Sequence, residues 1–181
     1  MEYSKEMKSK RLILRKFTYD DASDMFNNYY NNVNVSRYVT WQTHKSIEDT
    51  KKYLANVVLP EYKLDNTYRW AIVLKETNAV IGCIDVVKLN LLTKSAEIGY
   101  VLGEKYWGQG IMLEAGELVV SYLFSLGFIR VWAIHDIENS KSGRVMQKLG
   151  MKKEGTLRKY ALRNDGTLVD CDIYSIINEK F

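Results

Sequence analysis

The chain has little proline and cysteine, and it has no long hydrophobic run. One proline and two cysteines occur in 181 residues, and neither Cys83 nor Cys171 shows CxxC or metal-ligand spacing. These absences exclude a proline-rich disordered chain and a cysteine-based metal site. No apolar stretch approaches the roughly 20 residues that span a membrane, and no signal-peptide core follows the polar start. We therefore predict a reduced, cytoplasmic protein with no metal and no membrane partner.

Length and charge limit the number of domains and the kinds of binding partner. The 181 residues predict a single domain over 1–181, in which 1–10 form a polar N-terminal extension. Lys and Arg number 26 against 22 Asp and Glu, which gives a net charge of +4, and the two signs are interspersed. Such a balance suits an anionic small ligand as well as a nucleic acid. Because no nucleic-acid motif is recognisable, we predict no direct nucleic-acid partner.

The most informative stretch, 97–126, predicts a strand, a turn and a long helix. Its first six residues, from Glu97 to Leu102, are rich in apolar, aromatic and β-branched side chains, as strands are. From Ile111 onward, apolar residues recur at helical spacing until Gly127 supplies a C-terminal cap. The chain between these two elements therefore forms a connection at the N-terminus of a helix.

Gly108 and Gly110 flank Gln109 in this connection. Glycine at both places lets successive amides point toward the space before the helix, where the unpaired N–H groups and the helix dipole favour phosphate. The pattern is neither a Walker loop nor the three-glycine dinucleotide motif. Taken alone, the turn leaves two interpretations open, a phosphate cradle or a tight strand-to-helix connection.

Motifs in and after this stretch resemble those of the Gcn5-related N-acetyltransferases, specifically the branch of RimJ- and RimL-like ribosomal-protein N-terminal acetyltransferases. The similar segments are Glu97-Ile98-Gly99-Tyr100, Trp107-Gly108-Gln109-Gly110-Ile111-Met112, Glu114-Ala115, Asn139-Ser140-Lys141-Ser142 and Leu149-Gly150-Met151. The likeness extends from about residue 11 to 177. Trp107 and Met112 depart from the wider family pattern, so side-chain contacts at these two positions stay open.

The resemblance implies acetyl-CoA as the co-substrate. Backbone amides of the strand would orient the pantetheine arm and polarise the thioester carbonyl, and amides of the turn would hold the pyrophosphate. The residues that the resemblance assigns to cofactor binding are Ile98, Tyr100, Val101, Leu102, Gly108, Gln109, Gly110, Ile111, Met112, Asn139 and Ser142.

Patterns on either side of this stretch predict the rest of an α/β fold. Before it lie a strand over 11–17, two helices of which the second ends at Pro60, and a hairpin that joins 69–75 to 80–89. After it come a strand over 129–137, a short helix and a last hairpin. Because a helix links two strands, they should pair in parallel. We predict a mixed central sheet of about six to seven strands flanked by about four helices.

Glu97 and Ser142 are the candidate catalytic residues. An amine must lose its proton before it attacks a thioester, and a partly buried Glu97 carboxylate can take that proton directly or through water. A solvated or ion-paired Glu97 is the alternative, with His44 as the next candidate base. The resemblance implies that Ser142 donates to the departing thiolate, whereas Asn139 and Ser142 could simply cap a helix.

These observations predict an acetyl-CoA-dependent N-acetyltransferase that transfers the acetyl group directly to a primary amine. The acceptor is a protein N-terminal α-amine, as in ribosomal proteins, or a small-molecule amine, and the loops 31–44 and 160–168 should select it. The alternative is a non-catalytic module that binds or senses acyl-CoA. The oligomeric state is expected to be monomeric or homodimeric.

Overall fold

A single mixed sheet organises the computed structural model, which describes residues 3–180. Its eight strands run in the spatial order β1-β2-β3-β4-β5-β6-β8-β7. They are β1 (Met7–Lys8), β2 (Leu12–Arg15), β3 (Arg69–Leu74), β4 (Ala79–Asn90), β5 (Ser95–Leu102), β6 (Arg130–Asp136), β7 (Lys152–Leu162) and β8 (Leu168–Ile177).

The predicted six to seven strands are too few, because part of the predicted N-terminal extension joins the sheet. Met7 and Lys8 pair antiparallel with Leu14 and Ile13 of β2. Two residues are too short for a periodicity to be visible in a polar segment, so pairing alone defines this strand. The ends of the predicted domain, residues 1, 2 and 181, lie outside the described residues.

Five helices accompany the sheet in the described part of the chain, one more than predicted. They are α1 (22–30), α2 (Val33–Ser36), α3 (47–61), α4 (Ile111–Ser125) and α5 (Ser140–Lys148). The additional one is α2, a single turn that is capped by the Asn32 side chain, and one turn is too short to show helical periodicity. None of these helices combines the length and the apolar composition that a membrane crossing requires.

The prediction that Pro60 ends the second long helix was wrong. Helical backbone continues through Pro60 to Glu61, after a π-helical turn over 54–58. In this turn the Leu59 N–H donates to the Leu54 carbonyl, five residues back. Pro60 therefore stands in the first turn of the α-helical segment that follows the π-turn, where a proline is tolerated.

Helices cover both faces of the sheet, and each face has its own hydrophobic core. On one face, α4 and α5 bury residues such as Val119 and Met146 against Ile84 and Ile98 of the central strands. On the other, α1 and α3 bury a second cluster that contains Tyr29. Burial of both faces explains why the central strands are nearly continuous apolar runs.

The feature that positions the functional site is a separation of β5 from β6. As predicted, the two strands are parallel, but they pair only at Ser95 with Arg130, Ala96 with Val131 and Glu97 with Trp132. Both strands then continue, to Leu102 and Asp136, without pairing to each other. A wedge-shaped opening therefore begins in the middle of the sheet immediately after Glu97.

Candidate active site

The β5 side of the wedge presents unpaired backbone amides. Gly103 N–H donates to the Ile81 carbonyl at 2.8 Å, which places that amide on the β4 side. Because successive amides alternate between the two edges of a strand, those of Tyr100 and Leu102 face the wedge, and that of Val101 faces β4. The Ile98 amide points to the same edge as Tyr100 but belongs to the last parallel pair, Glu97 with Trp132. Such an edge can bind an extended, amide-containing ligand by adding hydrogen bonds of the sheet type.

The glycine turn has the backbone that the sequence analysis predicted. Gly108 and Gly110 have backbone φ angles of 75° and 72°, which residues with a Cβ rarely adopt. The 15-residue helix α4 begins directly after them, at Ile111. A Cβ on Gly108 would meet no atom within 4 Å, so the space beside it is open. The Gln109 side chain is used locally, because its Nε2 donates to the Lys105 carbonyl at 2.8 Å.

Arg11 provides positive charge beside this turn. Its Nη1 donates to the Gln109 carbonyl at 2.9 Å, and its Nε lies 2.6 Å from Glu114 Oε2. Burial opposes ionisation of Glu114, but hydrogen bonds from Ser9 and Arg11 hold the pKa of its carboxyl below the ordinary value. Open space, left-handed glycines, a helix N-terminus and a nearby guanidinium together fit a pyrophosphate. The predicted contacts Ile111 and Met112 have buried side chains, so only their backbones can face a ligand.

Ser142 and Asn139 lie at the start of α5, on the opposite side of the wedge. Asn139 is the N-cap residue, and its Oδ1 accepts from the Ser142 N–H at 3.4 Å. The Ser142 Oγ lies 2.9 Å from the Tyr100 hydroxyl, which also donates to the Ser142 carbonyl at 3.1 Å. Burial raises the pKa of the Tyr100 hydroxyl, which therefore stays protonated at neutral pH. The hydroxyl of Ser142 is thus separate from the cap that Asn139 provides.

Glu97 occupies the last paired position before the wedge opens. Its side chain is buried, and its Oε2 lies 3.1 Å from Nζ of Lys88 on β4. Burial raises the pKa of the Glu97 carboxyl, and the Lys88 ammonium partly opposes this rise. Glu97 is therefore an ion-pair partner of Lys88, which was the alternative to its being a base. Its carboxylate nevertheless has a pKa that is shifted in the direction that a general base requires.

A cavity of about 440 Å³ unites most of these groups. Its wall contains the predicted Glu97, Ile98, Tyr100, Val101, Asn139 and Ser142. The residues of the glycine turn lie outside this wall. The aromatic side chains of Tyr30, Tyr38, Trp41 and Tyr53 also contribute to the wall.

The two loops that were expected to select the acceptor meet over this cavity. The Asn164 side-chain amide donates to the carbonyls of Ser36 and Trp41 at 2.9 and 3.1 Å. In return, Gln42 Nε2 donates to the Asn164 carbonyl at 2.6 Å. The turn of the β7–β8 hairpin therefore fixes the connection between α2 and α3, and Arg163 beside it lines the cavity.

Sequence reasoning missed a partly buried ion pair in the cavity wall. Arg69 Nη2 lies 2.9 Å from Asp85 Oδ2, and Arg69 Nη1 lies 2.7 Å from Glu61 Oε2. Burial raises the pKa of the Asp85 carboxyl even though Arg69 opposes it. A hint was available, because the predicted hairpin carries opposite charges in two otherwise apolar strands, and Arg69 and Asp85 are direct cross-strand partners.

The remaining titratable candidates fit the reaction less well. His44 lies outside the cavity wall, stacks on Tyr30 and has its Nδ1 2.7 Å from Thr50 Oγ1. Burial lowers the pKa of the His44 imidazole. Cys83 and Cys171 are free thiols, and within residues 3–180 no group of His, Cys, Asp and Glu side chains could hold a metal ion.

Comparison with known proteins identifies the family. A family model described as an acetyltransferase (GNAT) domain matches residues 11–152. The chain belongs to the GNAT acetyltransferases. It is 35% identical over 175 residues to the uncharacterized N-acetyltransferase YoaA of Bacillus subtilis (strain 168), which covers 96% of this chain and 97% of the relative. As an N-acetyltransferase of this family, the enzyme uses acetyl-CoA, and nothing in the comparisons supports a non-catalytic module.

Two further GNAT relatives agree with the predicted branch and fold. The ribosomal-protein-serine acetyltransferase of Escherichia coli (strain K12) is 30% identical over 135 residues, which are 74% of this chain and 73% of the relative. The crystal structure of a GNAT-family acetyltransferase from Bacillus anthracis superposes with a TM-score of 0.81 at 26% identity, covering 96% of this chain and 98% of the other. The resemblance to ribosomal-protein acetyltransferases is therefore confirmed.

Proposed function

We propose that this acetyltransferase moves the acetyl group from acetyl-CoA directly to a primary amine, with Glu97 as the general base. The observation that carries this proposal is the position of Glu97, a buried carboxylate of raised pKa at the point where β5 and β6 separate. Glu97 and Ser142 lie in the wall of one cavity, which supports their assignment to a common reaction.

In this mechanism Glu97 takes a proton from the acceptor's ammonium. The free amine then attacks the thioester carbonyl carbon, and the wedge-facing amides of β5 stabilise the negative charge that develops on the oxygen. When the carbon–sulfur bond breaks, the new amide nitrogen gives up its second proton and the leaving sulfur gains one, and the Ser142 hydroxyl relays this proton, so that Ser142 ends the step as a hydroxyl. The Tyr100 hydroxyl at 2.9 Å supports Ser142. Proton removal accounts for roughly 10² to 10⁴-fold of the rate, and positioning supplies most of the remainder.

We assign a protein N-terminal α-amine as the acceptor, and a small-molecule amine is the alternative. The ribosomal-protein-serine acetyltransferase that resembles most of this chain supports a protein acceptor. Chemistry favours it as well, because an α-amine with a pKa of about 8 loses its proton more readily than a lysine side chain with a pKa of about 10.4. A cytoplasmic location and a monomeric or homodimeric state remain predictions.

The test is turnover of acetyl-CoA with matched acceptors. We would measure release of coenzyme A thiol with serine- and alanine-initiated peptides, with the same peptides blocked at the N-terminus, and with small diamines. The expected result is thiol release and a mass gain of one acetyl group on the free α-amine only. Thiol release with the diamines alone would show that the acceptor is a small amine. No thiol release with any amine would contradict the proposed function.

A further inference from the structure

The Lys88 ammonium is held in a small binding site that includes the proposed base. Its Nζ lies 3.1 Å from Glu97 Oε2 and 2.9 Å from the Tyr160 hydroxyl oxygen. It also lies over two aromatic rings, 5.6 Å from the centroid of Trp132 and 5.4 Å from that of Tyr160. A carboxylate, a hydroxyl and two ring faces are the groups that stabilise an ammonium ion.

Strand register brings these groups together. Lys88, Glu97 and Trp132 are direct partners across β4, β5 and β6, so their side chains share one face of the sheet. Tyr160 comes from β7, where the register shifts between Leu157 and Ala161. The site therefore lies where the wedge begins, on backbone that is fixed by the sheet.

The acceptor of an N-acetyltransferase arrives as an ammonium with the same charge and the same donors as Lys88. It must reach Glu97 to lose its proton, but the Glu97 carboxylate is paired with Lys88 in the free protein. The Lys88 side chain is 57% exposed and that of Glu97 only 5%, so the ammonium can return to water, and a second ammonium that replaces it keeps the buried carboxylate paired. The long, flexible stem of Lys88 lets the ammonium move into solvent without any change in the strand.

We propose that Glu97, Tyr160 and Trp132 form a subsite for the ammonium group of the acceptor, and that Lys88 occupies this subsite until the acceptor displaces it. The assignment of the subsite to the acceptor rests on the proposed function. The competition between Lys88 and a second ammonium is a binding equilibrium, which is measurable without acetyl-CoA and without turnover.

The test uses butylammonium chloride as the probe and 1-butanol as its neutral counterpart. Each is titrated into the full chain while the indole N–H signal of Trp132, assigned with Trp132→Phe, is followed by NMR. Lys88→Met removes the competing charge and keeps an unbranched side chain. Lys51→Met is the control for loss of one lysine charge, because Lys51 pairs at 3.4 Å with the exposed Glu48 on α3 and not with Glu97.

We expect butylammonium to bind Lys88→Met roughly two to five times more tightly than the wild type, because the probe no longer competes with an ammonium whose own side chain is largely exposed. Lys51→Met should match the wild type, Tyr160→Phe should weaken binding, and 1-butanol should leave the Trp132 signal unchanged. Equal affinities in wild type and Lys88→Met, an equal response to 1-butanol, or no binding of either probe would overturn the subsite. If butylammonium binds as expected but no amine is acetylated, the subsite stands and the proposed function fails.

Discussion

The candidate active site has two ends, one for the cofactor and one for the acceptor, and they are built from different kinds of groups. The proposed cofactor end is mostly backbone: the amide edge of β5 and the left-handed glycines Gly108 and Gly110. The proposed acceptor end is mostly side chain: Glu97 with its Lys88 partner, aromatic rings and the partly buried pair of Arg69 with Asp85. A backbone site recognises the shape of one constant co-substrate, whereas a side-chain site recognises charge. The two ends should therefore respond to different substitutions.

Glu97→Gln should have the largest effect of the variants, and the effect should be confined to the functions of the acceptor end. Gln keeps the shape and the hydrogen-bonding capacity of Glu but accepts no proton near neutral pH. We expect the rate constant for acetyl transfer to fall by roughly 10² to 10⁴-fold. Calorimetric titration should give an acetyl-CoA affinity close to that of the wild type.

Thermal unfolding separates this chemical role of Glu97 from a structural one. Because burial raises the pKa of Glu97 in the folded protein, the ionised side chain costs stability above the ordinary carboxyl pKa and costs nothing below it. Glu97→Gln should therefore melt at or above the wild-type temperature at neutral pH, and the difference should vanish in acid. A lower melting temperature at neutral pH would mean that Glu97 is a structural residue.

At the cofactor end, Gly110→Val should weaken acetyl-CoA binding by on the order of tenfold to a hundredfold. A branched side chain at φ of 72° is strained, and relief of that strain moves the amides of the turn. Gly127→Val is the matched control, because Gly127 has φ of 87° and open space at the far end of α4. Both variants should lose stability, and only Gly110→Val should lose affinity by calorimetry. If the two folded variants bind acetyl-CoA with equal affinity, the glycine turn is not the pyrophosphate-binding site.

Ser142→Ala should reduce the rate constant for transfer severalfold and leave acetyl-CoA binding nearly unchanged. The Ser142 hydroxyl bonds to Tyr100, while the cap of α5 is the Asn139 side chain. Loss of stability is therefore expected in Asn139→Ala instead, by about 1 kcal/mol, which corresponds to about 2–4 °C in melting temperature. A normal rate with a lowered melting temperature in Ser142→Ala would identify Ser142 as part of the cap.

Asn164→Ala should have the smallest effect, again at the acceptor end. It removes the two hydrogen bonds that join the hairpin turn to Ser36 and Trp41, so the cover of the cavity becomes looser. We expect the KM for the acceptor to rise by about two- to tenfold, with an unchanged affinity for acetyl-CoA. Asn27→Ala, which removes only an exposed contact with Ser23, should leave both values unchanged. An equal change in the two variants would show that the hairpin turn does not shape the acceptor site.

Local patterns in the sequence were sufficient to predict the cofactor end. Periodicity, the glycines and the parallel crossover predicted β5, the turn and α4, and the structure has all three. The predicted hairpins and the helix cap at Asn139 are also present. These features depend on residues that are close in sequence, and for that reason one sequence is enough to recognise them.

The acceptor end depends on contacts that no local pattern reports. Arg69 and Asp85 meet because of hairpin register, and Lys88 reaches Tyr160 from 72 residues away. Asn164 reaches Ser36 across 128 residues. Such pairs are fixed by strand order and by bulges, which the sequence pattern does not specify. The unpredicted strand β1 has the same cause, because only its pairing with β2 defines it.

The pH dependence of single-turnover transfer at saturating acetyl-CoA tests the role of Glu97 most directly. In the wild type, the rate constant should fall as the pH decreases through the raised pKa of the Glu97 carboxyl, because the protonated acid accepts no proton. In Glu97→Gln the rate constant should show no change at that pKa. Its residual value should instead rise with pH in proportion to the fraction of free amine. Profiles that superimpose after scaling would contradict the assignment of Glu97 as the base.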